Sequence, residues 1–460
     1  MLGDRIGCQE RLFYEFDLDE VVPRDHLLRR LDAVLDLSWL RRELRPHYSH
    51  TGRPSVCPEL MIRMLLIGYC YSIRSERRLC QEVSLNLAYR WFCRLGIEDR
   101  VPDHSTFSVN RHGRFRDSDI LRRVFESVVG QCMSADLVGG EGFAVDASVI
   151  EADASRFQRV EGSTFDWTDD QRARRPVRDY LAALDSDNPP VNPEQKPKAL
   201  SPVDPSAAWT TRGRHKVMFG YSLNYLIDME HAVIVDVEAT PTRITKEVDA
   251  TETMLARTEE RFALKPGHVA GDVAYGTAEM LGWLVDHDID PHIPVWDKGR
   301  RDDGTFSRED FTYDPQEDRY ICPNGKNLRQ YRLAGRLAKA KTPKDGLLRY
   351  RARKSDCDGC ELKSRCCPKA GARKVLRSIH EAARDHARSL METDAYCQSR
   401  VRRKKAETLF GEVKRNLALT RLRLRGLAGA RDEFLLTATV QNLKRLANLA
   451  AIPPPLPVNA

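Results

Sequence analysis

The chain has no run of about 18 apolar residues, the length a helix needs to cross a bilayer, so no membrane span is expected. Met1 to Glu20 holds several acids and no apolar core, which leaves no signal peptide to be read there. The expected location is the cytoplasm. A large surplus of one charge is also missing. Lys and Arg total 74 against 67 Asp and Glu, a net +7 over 460 residues, so the local distribution of charge says more than its sum. His104, His112, His215 and His268 lack ligand spacing and read as structural or surface residues. Of twelve cysteines, only Cys357 and Cys360 form a tight CxxC pair. With no export signal, cysteines in that number mean reduced thiols or metal ligands rather than a disulfide framework. What the chain does have is length, too much for one core, and two or three domains are expected.

Residues 25 to about 135 carry helical periodicity. Leu27, Leu28, Leu31 and Leu35 recur at helical spacing, Pro58 opens a second helix, and Ser75 to Phe92 gives a third with Leu79, Val83, Leu87 and Trp91 on one face. Asp103 or Ser105 caps a further helix. Arg74, Arg77, Arg78, Arg90, Arg111, His112 and Arg114 fall on the polar faces. Two readings stand side by side: a helix-turn-helix type DNA-binding unit, and a plain bundle with solvated charges.

Past Gly139-Gly140, the stretch Gly142 to Ile150 reads as a buried strand with Asp146 inside it. A buried carboxylate without a partner is costly, so Asp146 needs either a Lys, Arg or backbone donor as partner or a divalent cation. Ala152 to Ala208 is poor in periodicity, and its Pro-rich part reads as a flexible insert. His215–Ile227 and Ala232–Ala239 read as a hairpin, Thr245–Phe262 as an amphipathic helix and His268–Asp272 as a short strand ending in Asp. Thr277–His287 is expected as a helix and Pro291–Val295 as a last strand. This order implies an α/β layered domain with a mixed sheet. Such sheets place their sites at strand ends, where Asp146 and Asp272 both fall. Lys298 to about Tyr396 then interrupts the domain. It holds Cys322, Cys357, Cys360, Cys366 and Cys367. A set of Cys322, Cys357, Cys360 and Cys366 would close a tetrahedral Zn²⁺ site; reduced, partly buried thiols are the alternative.

Helices are expected from about Tyr396 to Asn416 and from about Leu427 to Ala450. Between Arg400 and Arg431 there are eleven Lys or Arg and two Glu. One of the two, Glu407, sits among Arg403, Lys404 and Lys405. Taken alone it makes an intrahelical pair with Arg403. Taken with Asp146 and Asp272 it completes a carboxylate cluster suited to two Mg²⁺ ions on a phosphate substrate.

These residues resemble the bacterial insertion-sequence transposases of the DDE type. Asp146 in Val-Asp-Ala-Ser is similar to the family's first Asp, and Asp272 in Gly-Asp-Val-Ala-Tyr-Gly to its second. Arg403, Glu407 and Lys414 match the Arg-x3-Glu-x6-Lys part of the Tyr-x2-Arg-x3-Glu-x6-Lys signature. Arg400 stands at the Tyr position, with Tyr396 one turn earlier. Phe410-Gly411 and Arg421 to Gly426 also fit. So do Asp25-His26-Leu27-Leu28, Gly52-Arg53-Pro54-Ser55, Ile73-Arg74-Ser75-Glu76-Arg77 and Pro102-Asp103-His104-Ser105-Thr106-Phe107, and the resemblance covers nearly the whole chain.

The resemblance implies an RNase H-like core with an all-α N-terminal domain and a Cys-containing insertion. Its expected parts are a helical DNA-binding domain at 1–135, the first part of the core at 136–297 with a flexible insert at about 155–208, the insertion at 298–395, completing helices at 396–450 and a tail at 451–460. Asp146, Asp272 and Glu407 would hold Mg²⁺ or Mn²⁺. Arg403 and Lys414 would contact phosphate near the scissile bond, with Arg400, Lys404, Lys405, Arg421, Arg423 and Arg425 as further DNA contacts. The implied activity is metal-dependent cutting at terminal inverted repeats and joining of 3′-OH ends to target DNA, by a homodimer on double-stranded DNA in a bacterial nucleoid. A domesticated nuclease and a non-catalytic DNA-binding descendant are the rival readings.

Overall fold

The computed structural model of the chain describes residues 16–49, 51–52, 55–162, 165–185, 197–212, 216–242, 244–297, 303–331 and 346–449. Arg53, Pro54, His215, the Pro-rich stretch 186–196, the start of the insertion at 298 and the tail 451–460 lie outside the described residues.

The N-terminal part is helical throughout. Ser75 caps the helix Glu76–Leu85 by accepting from Arg78 N, and Asn86 caps Leu87–Phe92 by accepting from Ala88 N and Tyr89 N. The helix Pro58–Cys70 starts on a proline, which lacks the N–H that a first helical residue would leave unpaired. It is buried nearly all round. The helix Gly426–Leu449 explains why: it lies against Pro58–Cys70, against Ile120–Ser134 and against the sheet. One continuous apolar cluster therefore runs from Leu28 through Phe125 and Tyr225 to Leu443. The N-terminal helices share their core with the rest of the chain instead of forming one of their own.

That shared core changes the reading of the arginines. Arg90 and Arg111 were expected on polar outer faces, and both are buried. Arg90 donates to the carbonyls of Gly96, Ile97 and Asp99, and Arg111 pairs with Glu76. These two close turns and join helices. Arg122, 4% exposed, reaches from Ile120–Ser134 to Asp236 in the sheet, which also pairs with Arg257 at 2.7 Å.

The sheet has six strands: β1 (Gly142–Glu151), β2 (Ala208–Arg212), β3 (Lys216–Asp228), β4 (Ile234–Pro241), β5 (His268–Ala270) and β6 (Asp290–His292). β1 is central. It pairs antiparallel with β3 and parallel with β5, and β6 continues in parallel beyond β5. The long β3 serves two partners on its other edge, β2 along its first half and β4 along its second. The mixed sheet matches the sequence expectation, with β1, β3, β4, β5 and β6 within a few residues of their expected places; β2 was not expected and starts where the stretch read as unpatterned ends. The stretch 155–208 is less bare than its weak periodicity implied, because Asp169–Ala173 and Arg175–Leu184 are helices, the first closed by a Thr168/Gln171 capping box.

The insertion forms a separate five-stranded antiparallel sheet. Its strands are β7 (Thr312–Asp314), β8 (Arg319–Ile321), β9 (Asn327–Gln330), β10 (Leu347–Ala352) and β11 (Lys374–Ser378). Its small core combines Phe311, Tyr320, Leu328 and Tyr350 with Cys357, Cys366 and Cys367.

Candidate functional site

The site is built on the register of two parallel strands. Ala144 of β1 stands beside Ala270 of β5. Two residues further along come Asp146, still on β1, and Asp272, just past the end of β5, the two strands being spaced about 4.8 Å apart. The chain leaves β5 at Gly271, and Asp272 caps the short turn Val273–Tyr275 by accepting from Ala274 N at 2.8 Å. That turn needs Gly276: a Cβ there would lie 1.9 Å from Pro294 O. The two carboxylates thus sit side by side because a buried parallel pair ends in a turn that only glycine closes.

The third acid arrives on a helix packed over the same face. Ala406, Leu409, Phe410 and Val413 of Lys404–Arg415 are buried, and Phe410 stacks on Tyr225, the β3 partner of Asp146, with centroids 5.0 Å apart. Arg403 and Lys414 reach to β1 from the two ends of this helix. Arg403 Nη1 lies 3.8 Å from Asp146 Oδ2, and Lys414 Nζ donates to Ser148 Oγ. Asp146 and Ser148 are two apart on a strand and so face the same way. Glu407 is exposed beside them.

The electrostatics tie the acids together. The Asp146 carboxyl is pushed up to about 6, first by burial, with further upward pushes from Asp272 and Glu407; the Ala147 N–H and Arg403 pull the other way. Glu247, which no sequence pattern marked, belongs to this neighbourhood. It accepts from Ser222 Oγ at 2.6 Å, and burial and Asp272 raise its pKa. Ser148 and Glu247 carry no local signal; only the sheet and the start of the helix Ile244–Phe262 bring them here. Tyr275, in the position after Asp272 that the sequence singled out, is buried in the same neighbourhood.

One continuous helix was expected from Tyr396 to Asn416. The structure has two, Asp394–Arg402 and Lys404–Arg415, with Arg403 at the junction. Arg403 caps the first while Ala406 N already bonds to Arg403 O, a tighter turn that shifts the helical register. Tyr396 is 5% exposed and packs on His292, 5.7 Å between centroids, so it faces the core.

The expected DNA contacts divide into groups. Arg400 and Lys404 are exposed. Lys405 is committed elsewhere: its ammonium donates to Met229 O at 2.9 Å and to Glu230 O, holding the β3–β4 turn. Arg421 and Arg425 pair with Asp153 at 3.1 and 2.9 Å. Arg423 is exposed and has no ion pair among the described residues.

Among the described residues, no three or more His, Cys, Asp or Glu side chains are grouped as a ready-made metal cage. Cys322, Cys357, Cys360 and Cys366, the set named for zinc, form no such group. Cys322 Sγ accepts from Lys326 N in its own turn, and Cys360 Sγ accepts from Asn324 Nδ2 at 3.5 Å. Cys357 and Cys366 are buried among the aromatics of the insertion's core, where burial pushes the Cys366 thiol up to about 11. They act as small apolar side chains. For the acids the donor set still suits a hard cation. Asp146, Asp272 and Glu407 offer only oxygen, and Mg²⁺ takes a few carboxylates and completes its shell with water and substrate phosphate. The mutual repulsion at Asp146 is what a cation there would relieve.

Two stretches match family models. Residues 16–113 match Transposase domain (DUF772), and residues 321–447 match Transposase DDE domain. The second includes Arg403, Glu407 and Lys414, while Asp146 and Asp272 lie between the two matches. Comparison with curated proteins gives no match. Among solved structures, the cryo-EM structure of a piggyBac transposase synaptic complex with hairpin DNA is similar to 91% of this chain and 74% of that one, at 10% identity and a TM-score of 0.32, too low to bear on fold or function. Among the described residues no helix is long and apolar enough to cross a membrane.

Proposed function

We propose that this chain, with transposase-domain matches in its N-terminal and C-terminal parts, is a DNA transposase of the insertion-sequence type whose catalytic core is RNase H-like. The observation that carries the reading is the site itself. Asp146 lies on β1 and Asp272 two residues past the end of the parallel β5, and the helix of Glu407 is held to β1 by Arg403 and Lys414. The strand order β4-β3-β1-β5-β6, with β3 antiparallel and β5 parallel to the central strand, supports the RNase H-like assignment.

In roles, Asp146, Asp272 and Glu407 would hold Mg²⁺ or Mn²⁺, two ions in all. Bound there, the metal supplies charge stabilisation for the attacking and leaving oxygens of an in-line displacement at phosphorus. Arg403 orients Asp146 and offers a guanidinium to a phosphate oxygen. Lys414, anchored on Ser148, adds a second cation from the far end of the helix. The carboxylates contribute charge and geometry rather than a proton. The substrate is double-stranded DNA at the element's inverted repeats, then target DNA. Two ends cut together call for a homodimer, working in the bacterial cytoplasm at the nucleoid.

The test is nicking of duplex DNA carrying the ends that flank the gene, with Mg²⁺ added. Asp146→Asn, Asp272→Asn and Glu407→Gln should each abolish nicking and leave DNA affinity near wild type, because amides are near-isosteric but poor Mg²⁺ ligands. Full nicking by any one of them removes that residue from the site. A strand-transfer product separates a transposase from a domesticated nuclease, and binding without nicking by the wild type would favour the non-catalytic descendant.

A further inference from the structure

A polar layer on the far side of the sheet has no part in placing the three acids. Ser222 of β3 is the partner of Val149, three residues past Asp146 on β1. An odd offset along a strand reverses the direction of a side chain, so Ser222 and Asn224 face away from Asp146 and the Glu407 helix. The helix Ile244–Phe262 covers this second face. It packs on β3 and β4 and reaches the turn Val273–Tyr275 that follows Asp272.

Glu247 stands in the first turn of that helix. The positive end of the helix dipole eases its charge, and the fully buried Ser222 Oγ donates to it at 2.6 Å. Neither supplies a countercharge. Glu247 is half-buried and has no ion pair among the described residues. Asp272 stands near enough to push against its charge, and the Tyr275 phenol lies within reach of Glu247, Asp146 and Asp272 together. A half-buried carboxylate set against a second carboxylate, with no Lys or Arg among the described residues to pair it, is costly until a cation joins them.

A second oxygen marks the same space. Asn224 is 1% exposed. Its amide nitrogen donates to Ser222 O, Glu238 O and Thr240 Oγ1, the last two on β4. Reversing the amide would set its oxygen against the two carbonyls, so the orientation is fixed. The nitrogen turns toward β4, and the oxygen leaves the same planar group on the other side, toward β1. There it is buried with no hydrogen-bond partner among the described residues. An orphaned buried acceptor is expensive to keep. A hard cation takes carboxylate and amide oxygens alike.

We propose that Glu247 is a fourth carboxylate of the metal centre and, with Asn224 Oδ1, holds a divalent cation beside Asp272 from the sheet face opposite Glu407. This rests on the carboxylate reading of the site given above. Asp272 lies past the end of β5, where no strand of its own separates the two faces, so it is open to both. Four carboxylates then face two fixed cations, Arg403 and Lys414, an excess of negative charge that two divalent ions offset.

The experiment measures Mn²⁺ binding to full-length protein without DNA, from the electron paramagnetic resonance signal of the free ion, and needs no nicking. Glu247→Gln keeps an acceptor for Ser222 and loses only the charge. It should weaken Mn²⁺ binding at least tenfold, the size seen when a metal site loses even an outer support. The melt of the metal-free variant should be no lower than wild type, since an unbalanced charge is gone. Ser222→Ala, which lets the carboxylate swing free, should weaken binding by a smaller factor. Glu260→Gln removes the same charge from an exposed position on the same helix and should bind as wild type. Asp272→Asn is the reference. If Asp272→Asn loses Mn²⁺ and Glu247→Gln does not, Glu247 only supports Ser222, and the proposal falls while the three-acid site stands. Equal losses in Glu260→Gln and Glu247→Gln would show long-range charge alone, and the proposal falls again. If no variant changes Mn²⁺ binding, both the proposal and the metal reading of the site are overturned.

Discussion

Lys404 and Lys405 are neighbours of the same type, and the structure gives them different tasks. Lys405 Nζ donates to Met229 O and Glu230 O, tying the start of the Lys404–Arg415 helix to the β3–β4 turn. Met229 is itself buried against Ala144 and Ala270, beneath the two aspartates. A hydrogen bond from a charged donor is worth about 1.5–3 kcal/mol net. The Glu230 carbonyl is near solvent, and water will replace the ammonium there, so Lys405→Ala should cost about one such bond, roughly 1.5–2 kcal/mol. It should barely change the salt dependence of DNA binding. Lys404 is exposed and has no ion pair among the described residues. Lys404→Ala should leave stability within about 0.5 kcal/mol and reduce the salt slope by about 0.9. The assays are urea denaturation of each variant beside the wild type, and affinity for a duplex between about 50 and 200 mM salt. Lys405→Ala with an unshifted midpoint and a salt slope reduced like that of Lys404→Ala would refute the division. A third readout follows from the first: loosening the tether moves the helix that carries Glu407 and Lys414, so Lys405→Ala should slow nicking even at saturating DNA.

Two further predictions concern the frame around the site. Arg122→Met removes one partner of the buried Asp236 and should cost about 3 kcal/mol in chemical denaturation, the low end for breaking a buried pair because Arg257 still faces the carboxylate; a loss under about 1 kcal/mol would mean Arg257 alone satisfies Asp236. His292, packed against His268 and bonded to Ser399 Oγ at 2.7 Å, has its pKa lowered from 6.5 to about 4 by burial and then by His268. The folded state holds it neutral while the unfolded chain takes up a proton below 6.5, so its share of stability is whole above that pH and is lost as the pH falls toward 4, about 3 kcal/mol in all. His292→Gln should flatten that part of the stability profile, and an unchanged profile would show that other groups govern it.

Much of the architecture is present in local pattern. The hairpin of β3 and β4 and the amphipathic helix that follows were readable from apolar spacing and turn residues, because strand and helix periods differ and the chain is strongly patterned there. Asp146 stood out for an equally local reason, a charge inside an apolar β-branched strand. Glu407 and its flanking cations stood out by composition. Other features were not readable. Lys405 looked like Lys404 because one-dimensional spacing does not show that a turn 175 residues earlier presents two open carbonyls. Arg90 and Arg111 looked like surface cations because burial of an arginine depends on distant carbonyls and acids. The cysteines of the insertion have near-zinc spacing, and only the tertiary structure shows that Cys357, Cys366 and Cys367 pack with Phe311, Tyr320 and Tyr350.

What the sequence determined by itself, then, is most elements of the core and the candidate acids, since both follow from short-range patterns of polarity. The tertiary structure alone decided which groups meet. The parallel register that sets Asp272 beside Asp146, the seat of Lys414 on Ser148 and the approach of Glu247 all join residues far apart in the chain. Such contacts are fixed by how sheet and helices bury their apolar faces against one another, which no local pattern encodes.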